Sequence, residues 1–152
     1  MPARQDGSDA SVGTGRVPDD SADIVTETPE AAAALEAVNA YMRAFNARDR
    51  TGTDAALHFP HVRLASGTVR VIEAPGFQPP DFFERFADAT GWACSRWDYR
   101  RAIQASADKV HFAVQFTRYR ADGSVIGHYP SMWIVTLREG RWGVQARSSF
   151  AP

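Results

Sequence analysis

The chain has 152 residues, 44% of them hydrophobic and 11% aromatic, enough to bury one core and well outside the range of disordered chains. Its formal net charge of −1 provides no field that would recruit nucleic acid or an anionic membrane surface, so neither is an expected partner. Cys94 stands alone, which excludes an intrachain disulfide framework and a cysteine zinc cage, and no apolar run approaches the ~20 residues that cross a bilayer; a cytoplasmic protein is expected.

Residues 1–27 are rich in Gly, Ser, Asp and Ala and lack apolar periodicity, so they read as a flexible N-terminal tail, with Ile24 and Val25 as the residues that could dock on the body. Residues 28–152 read as one domain. Thr28-Pro29-Glu30 is a helix start: a capping hydroxyl, a proline whose missing N–H costs nothing there, and an acid at the positive end. Leu35, Val38, Tyr41, Met42 and Phe45 follow at three- and four-residue steps, an apolar helical stripe ending near Asn46–Asp49. A short second helix is expected over Asp54–Phe59, stopped by Pro60. Val62–Ala65 and Val69–Glu73 read as short strands around a Ser66-Gly67 turn. Pro79-Pro80-Asp81 starts a third helix that buries Phe82, Phe83, Phe86 and Ala87, with Gly91 as its cap. Four long strands complete the chain: Arg96–Ser106, Lys109–Ala121, Val125–Arg138 and Arg141–Phe150. Helices segregated from a long antiparallel sheet define an α+β fold with the helices on one face.

The connections Ala107-Asp108, Asp122-Gly123 and Glu139-Gly140 read as two-residue hairpin turns, and such turns fix register. For bulge-free strands, Phe116 then faces Tyr129, Val114 faces Ser131, Phe112 faces Trp133 and Val110 faces Val135. In the same way Ser131 faces Ser148, Trp133 faces Ala146, Arg101 joins Val114, Tyr99 joins Phe116 and Ile103 joins Phe112. The apolar face of this sheet belongs under the helices. The row Arg101, Val114, Ser131 and Ser148 interrupts it with a charge and two hydroxyls, which need solvent or a ligand. That row predicts a pocket, with Ser131, Ser148, Tyr129, Trp133, Phe112, Phe116 and Tyr99 as ligand-binding residues. The opposite face carries His111, Gln115, Thr117, His128, Met132, Gln145 and Arg147, a mixture that suits a homodimer interface. Arg96, Arg100, Arg118 and Arg120 gather toward one end of the sheet and read as a solvated edge.

The stretch Val38–Asp49, the following Gly52 and the hairpin Glu139–Val144 resemble the nuclear transport factor 2-like superfamily, in its SnoaL-like and steroid delta-isomerase-like branch. The resemblance spans residues 30–150 and implies a cone: a curved antiparallel sheet wrapped around three helices, enclosing a deep, largely apolar cavity. It also implies a range of activities, from ketosteroid isomerases, dehydratases and cyclases to non-catalytic dimerisation modules, mostly without metal or organic cofactor. Tyr41 falls on the tyrosine that donates a hydrogen bond to the enolate oxygen in the steroid isomerases. The general-base aspartate of those enzymes lands on Ala65 and the second oxyanion acid on Trp133, so this branch's proton transfer lacks its usual base.

His58 and His61 flank Pro60 and do not form a helical ligand pair, so no metal is expected. Each imidazole has two readings, as a pocket acid–base group or as a structural residue at the helix-to-strand corner. Arg101 either clamps an oxygen anion in the pocket or pairs with an acid such as Glu73 or Asp81. The sequence thus gives His58, His61, Tyr41 and Arg101 as candidate catalytic residues and no cofactor. The expected function is binding of a small apolar or oxygenated molecule, with isomerase, dehydratase or cyclase chemistry by histidine, or a non-catalytic ligand-binding or dimerisation module.

Overall fold

The computed structural model describes residues 23–152; the expectation for residues 1–22 of the tail lies outside the described residues. The element order is β1 (Ile24–Val25), α1 (Pro29–Asn46), α2 (Arg50–Ala55), β2 (Leu57–Ala65), β3 (Thr68–Ile72), α3 (Phe82–Thr90), β4 (Cys94–Ala105), β5 (Lys109–Tyr119), β6 (Val125–Arg138) and β7 (Arg141–Ser149). The strands form one sheet in the order β1-β4-β5-β6-β7-β2-β3. It is not wholly antiparallel: β2 runs parallel to β7, and Ile24 and Val25 dock parallel to Arg100 and Arg101 on the β4 edge. No helix among the described residues is long and apolar enough to cross a membrane.

Thr28 caps α1 by accepting a 3.1 Å hydrogen bond from the Ala31 N–H, and Pro29 opens the first turn. The second helix starts earlier than the proline implied, because Asp49 accepts from the Gly52 N–H at 2.9 Å and nucleates α2 at Arg50. Chain released at Ala56 joins β7, so His58 lies in a strand and not at the top of a helix. Gly91 ends α3 at φ 76°, the left-handed conformation glycine adopts freely. The core lies between α1 and the concave face of the sheet, where Val38 and Tyr41 meet Phe112, Val114, Trp133, Val135 and Val144. Phe45 joins α1 to α3 through edge-on contacts with Phe83 at 5.0 Å and Trp92 at 5.1 Å.

The β5–β6 register is the expected one, with Phe112 opposite Trp133, Val114 opposite Ser131 and Phe116 opposite Tyr129. The loop is one residue longer than a bare Asp-Gly hairpin, pairing Arg120 with Ser124 around Ala121-Asp122-Gly123, and an irregularity beside Val125 restores the register. Three other bulges are not compensated. One between Ile134 and Val135 of β6, with Gln145 as the extra residue on β7, places Arg147 opposite Trp133 and Ser149 opposite Ser131. Two more in β4, at Asp98 and Ile103, place Arg100 opposite Val114, Ala102 opposite Phe112 and Trp97 opposite Phe116. Each displaced strand therefore presents the neighbouring residue to the core.

Candidate functional site

Between α1, α3 and the concave sheet lies a cavity of about 180 Å³. Its apolar walls come from the α1 stripe and the inward rows of β5 and β6. Tyr41 meets Trp133 edge-on at 5.3 Å, and Phe45, Phe86 and Phe116 extend that surface. Four arginines also line it, Arg63 of β2, Arg70 of β3, Arg118 of β5 and Arg147 of β7, and among the described residues its lining contains no aspartate, glutamate, histidine or cysteine.

Arg147 sits against two rings. Its guanidinium lies 4.6 Å from the Tyr41 ring centre and 5.5 Å from that of Trp133, a cation–π contact with each. Its Nε donates to His61 Nε2 at 3.1 Å, which leaves the proton of His61 on Nδ1, where it bonds to the Val144 carbonyl oxygen at 2.9 Å. His61 is fully buried, and burial followed by the nearby Arg147 charge pushes its pKa down to about 3. It is a neutral bracket behind Arg147, spent on both nitrogens.

Arg118 is 7% exposed and rests against three rings, Phe86 at 4.9 Å, Tyr129 at 5.0 Å and Phe116 at 5.7 Å, while its Nε has no hydrogen-bond partner. Burial lowers the pKa of Arg118 and of Arg63, and Arg147 lowers both further. Arg63 makes no hydrogen bond or ion pair with any described residue. The Tyr41 hydroxyl is likewise without a hydrogen bond, and the buried Trp133 Nε1 has no acceptor. Ser149, at the cavity wall, accepts from the Ser131 hydroxyl at 2.7 Å.

Of the residues expected from sequence, Tyr41, Trp133 and Phe116 line the cavity. Phe112 is fully buried in the core, Tyr129 backs Arg118, and Ser131 reaches the cavity through Ser149. Arg101, Tyr99 and Ser148 are corrections, because the bulges turn all three to the convex face. There Arg101 pairs with Asp23, in place of the Glu73 or Asp81 partner considered above, and stacks over Tyr99 at 4.3 Å. Neither histidine of β2 lines the cavity. His58 donates from Nε2 to the Arg141 carbonyl at 2.8 Å, accepts from the Arg141 guanidinium at Nδ1, and packs on Gly143, where a Cβ would fall 2.6 Å from the ring. Burial holds its pKa below the usual histidine value.

Arg100 and Arg118 are also corrections, since neither belongs to a solvated edge: both are buried, and Arg100 bonds to Asn39 of α1. Sequence reasoning missed Arg63, Arg118 and Arg147 as site residues. A signal existed for Arg118, which shares parity on β5 with Phe112, Val114 and Phe116, and for Arg63, which shares it with His61 on β2.

A curved, open sheet with its helices in the N-terminal half and a concave cavity defines the nuclear transport factor 2-like fold, also described as cystatin-like. Solved structures share it. A ketosteroid isomerase-like protein from Erwinia carotovora atroseptica aligns with 19% identity over 81% of this chain and 96% of its own, at a TM-score of 0.59. A nuclear transport factor 2-like protein from Cytophaga hutchinsonii aligns with 16% identity over 78% and 94%, at 0.58. Another, from Novosphingobium aromaticivorans, aligns with 10% identity over 80% of each chain, at 0.64. At these identities the likeness is one of fold. No family model matches the chain, and no curated protein does.

Proposed function

We propose that this domain binds a small, mostly apolar, oxygenated molecule in its concave cavity, as a ligand-binding module of the fold and not as a histidine acid–base enzyme. The observation that supports this reading is the cavity lining: aromatic walls, four arginines, a tyrosine hydroxyl, and no side-chain carboxylate or imidazole among the described residues. General acid–base chemistry near neutral pH needs a group that titrates there and touches the reacting proton. His61, the nearest imidazole, is neutral and has both nitrogens committed. The cavity's 180 Å³ modestly exceeds the ~150 Å³ that accommodates benzene, so one ring with a short oxygenated substituent matches it. Tyr41, Arg147 and Trp133 together supply donors for the ligand oxygen against an apolar body.

A thermal-shift and tryptophan-fluorescence screen of single-ring oxygenated compounds, such as phenol, acetophenone and benzoate, tests this. Binding stabilises the fold by about 2.7 kcal/mol when ligand is 100-fold above its Kd. Tyr41→Phe should weaken the oxygenated ligands by about 1 kcal/mol. Absence of a melting shift or fluorescence change with every such compound up to its solubility would refute the reading.

A further inference from the structure

The charge of the cavity narrows the ligand further, on the premise that the cavity is a ligand site. We infer that the ligand is a monocarboxylate carried on a single aromatic ring or an apolar body of that size, its carboxylate received by Arg63, Arg118 and Arg147. The inference rests on how the arginines of this chain are satisfied. On the outer surfaces Arg43 pairs with Glu36 and Arg101 with Asp23, Arg85 lies 3.8 Å from Asp81, and Arg141 donates to the carbonyl oxygens of Ala55 and Leu57. In the cavity four guanidiniums share a lining that holds no acidic side chain among the described residues, the backbone end at Pro152 being the one other group there that can carry negative charge.

A buried cation without a counter-ion is costly, and several side by side are more so. Arg118 is nine-tenths buried with an unpartnered Nε, Arg63 has no partner among the described residues, and Arg147 is gripped through Nε by a neutral acceptor. A carboxylate in the place of His61 would have cancelled the charge of Arg147. The imidazole fixes the guanidinium plane and leaves its full positive charge for something else. The rings in contact with Arg147 and Arg118, and the His61 bond to Arg147, restrict both forks, which favours a planar two-oxygen anion. The aromatic wall and the one-ring volume supply the apolar remainder.

The test titrates the full chain by calorimetry with phenylacetate, its uncharged isostere phenylacetamide, and inorganic phosphate, in wild type, Arg63→Gln, Arg118→Met and the convex-face control Arg101→Gln. Phenylacetate should bind at least about 10-fold tighter than phenylacetamide, as expected for one charge-assisted hydrogen bond or more. Arg63→Gln and Arg118→Met should each remove most of that preference while phenylacetamide binding and the Arg101→Gln variant stay unchanged. Arg63 is free of internal partners, so its variant tests the idea even where Arg118→Met fails to fold. Equal binding of acid and amide would overturn the inference and leave the cavity reading standing. Phosphate binding as tightly as phenylacetate would overturn it in favour of a bare-anion site. Binding of none of the three would overturn it together with the cavity reading.

Discussion

The two faces of the sheet each carry a polar cluster, and they are built on opposite terms. On the convex face Asp98 accepts from Thr117 at 2.8 Å and from Gln115 at 3.0 Å, and His128 lies 2.7 Å from the Thr117 hydroxyl and 4.0 Å from Asp98. Each group answers another, and Thr117 is fully buried beneath them. On the concave face Arg63, Arg70, Arg118 and Arg147 share one cavity with no acidic side chain among the described residues. A closed cluster stabilises the fold that contains it. An open one of a single sign detracts from stability, and such a cost is characteristic of a site that waits for something from outside.

The largest expected effect that breaks this contrast is at His61. His61→Ala leaves the Arg147 Nε and the Val144 carbonyl without their partner and opens a void, lowering stability by about 2–4 kcal/mol in a denaturant titration. Next comes the convex cluster, where Asp98→Ala should cost about 1–3 kcal/mol, because a fully buried hydroxyl loses its acceptor. The pH dependence is comparable in size over its first two pH units. His61 is neutral in the folded chain down to about 3 but titrates near 6.5 when unfolded, so below 6.5 the unfolded state binds more protons. Stability should therefore be level above pH 6.5 and fall as pH drops from about 6.5 toward 3, by up to about 1.4 kcal/mol per pH unit for this one group. His58, also lowered, adds to the fall in the same direction. Equilibrium unfolding at a series of pH values checks it, and His61→Gln should flatten the curve. The smallest effect has the opposite sign: Arg63→Gln should raise the stability of the ligand-free protein by about 0.5–1 kcal/mol, read as a higher melting temperature. A fall instead would mean that the concave cluster is internally compensated.

The fold class and helix faces were legible from residue pattern. The capping triplet at Thr28, the stripe from Leu35 to Phe45 and the Gly91 stop are local signals, and local chemistry determined them. The Ser66-Gly67 and Glu139-Gly140 turns were legible too, since both residues of each pair take the positive φ that such turns require. The site was only half legible. Tyr41, Trp133 and Phe116 follow from periodicity and from the β5–β6 register, where a longer turn and a strand irregularity cancel. Arg147, Ser149, Arg100 and Trp97 depend on bulges that no local residue choice announces, since Gln145 leaves the ladder to bond with Thr136 and Pro60 across strands. Arg63 and Arg118 obeyed simple alternation and could have been found by it. Their charge had suggested the outside.

The Gln145 bulge carries a consequence for the cavity. Loss of that one codon would close the bulge and keep Arg147 opposite Trp133, whereas drawing Gln145 into the ladder would slide β7 by a single position and turn Arg147 outward and Ser148 inward. In the second case a hydroxyl would stand where a cation does now, so the pairing state of position 145, and not the identity of residue 147, decides whether that cation faces the concave wall.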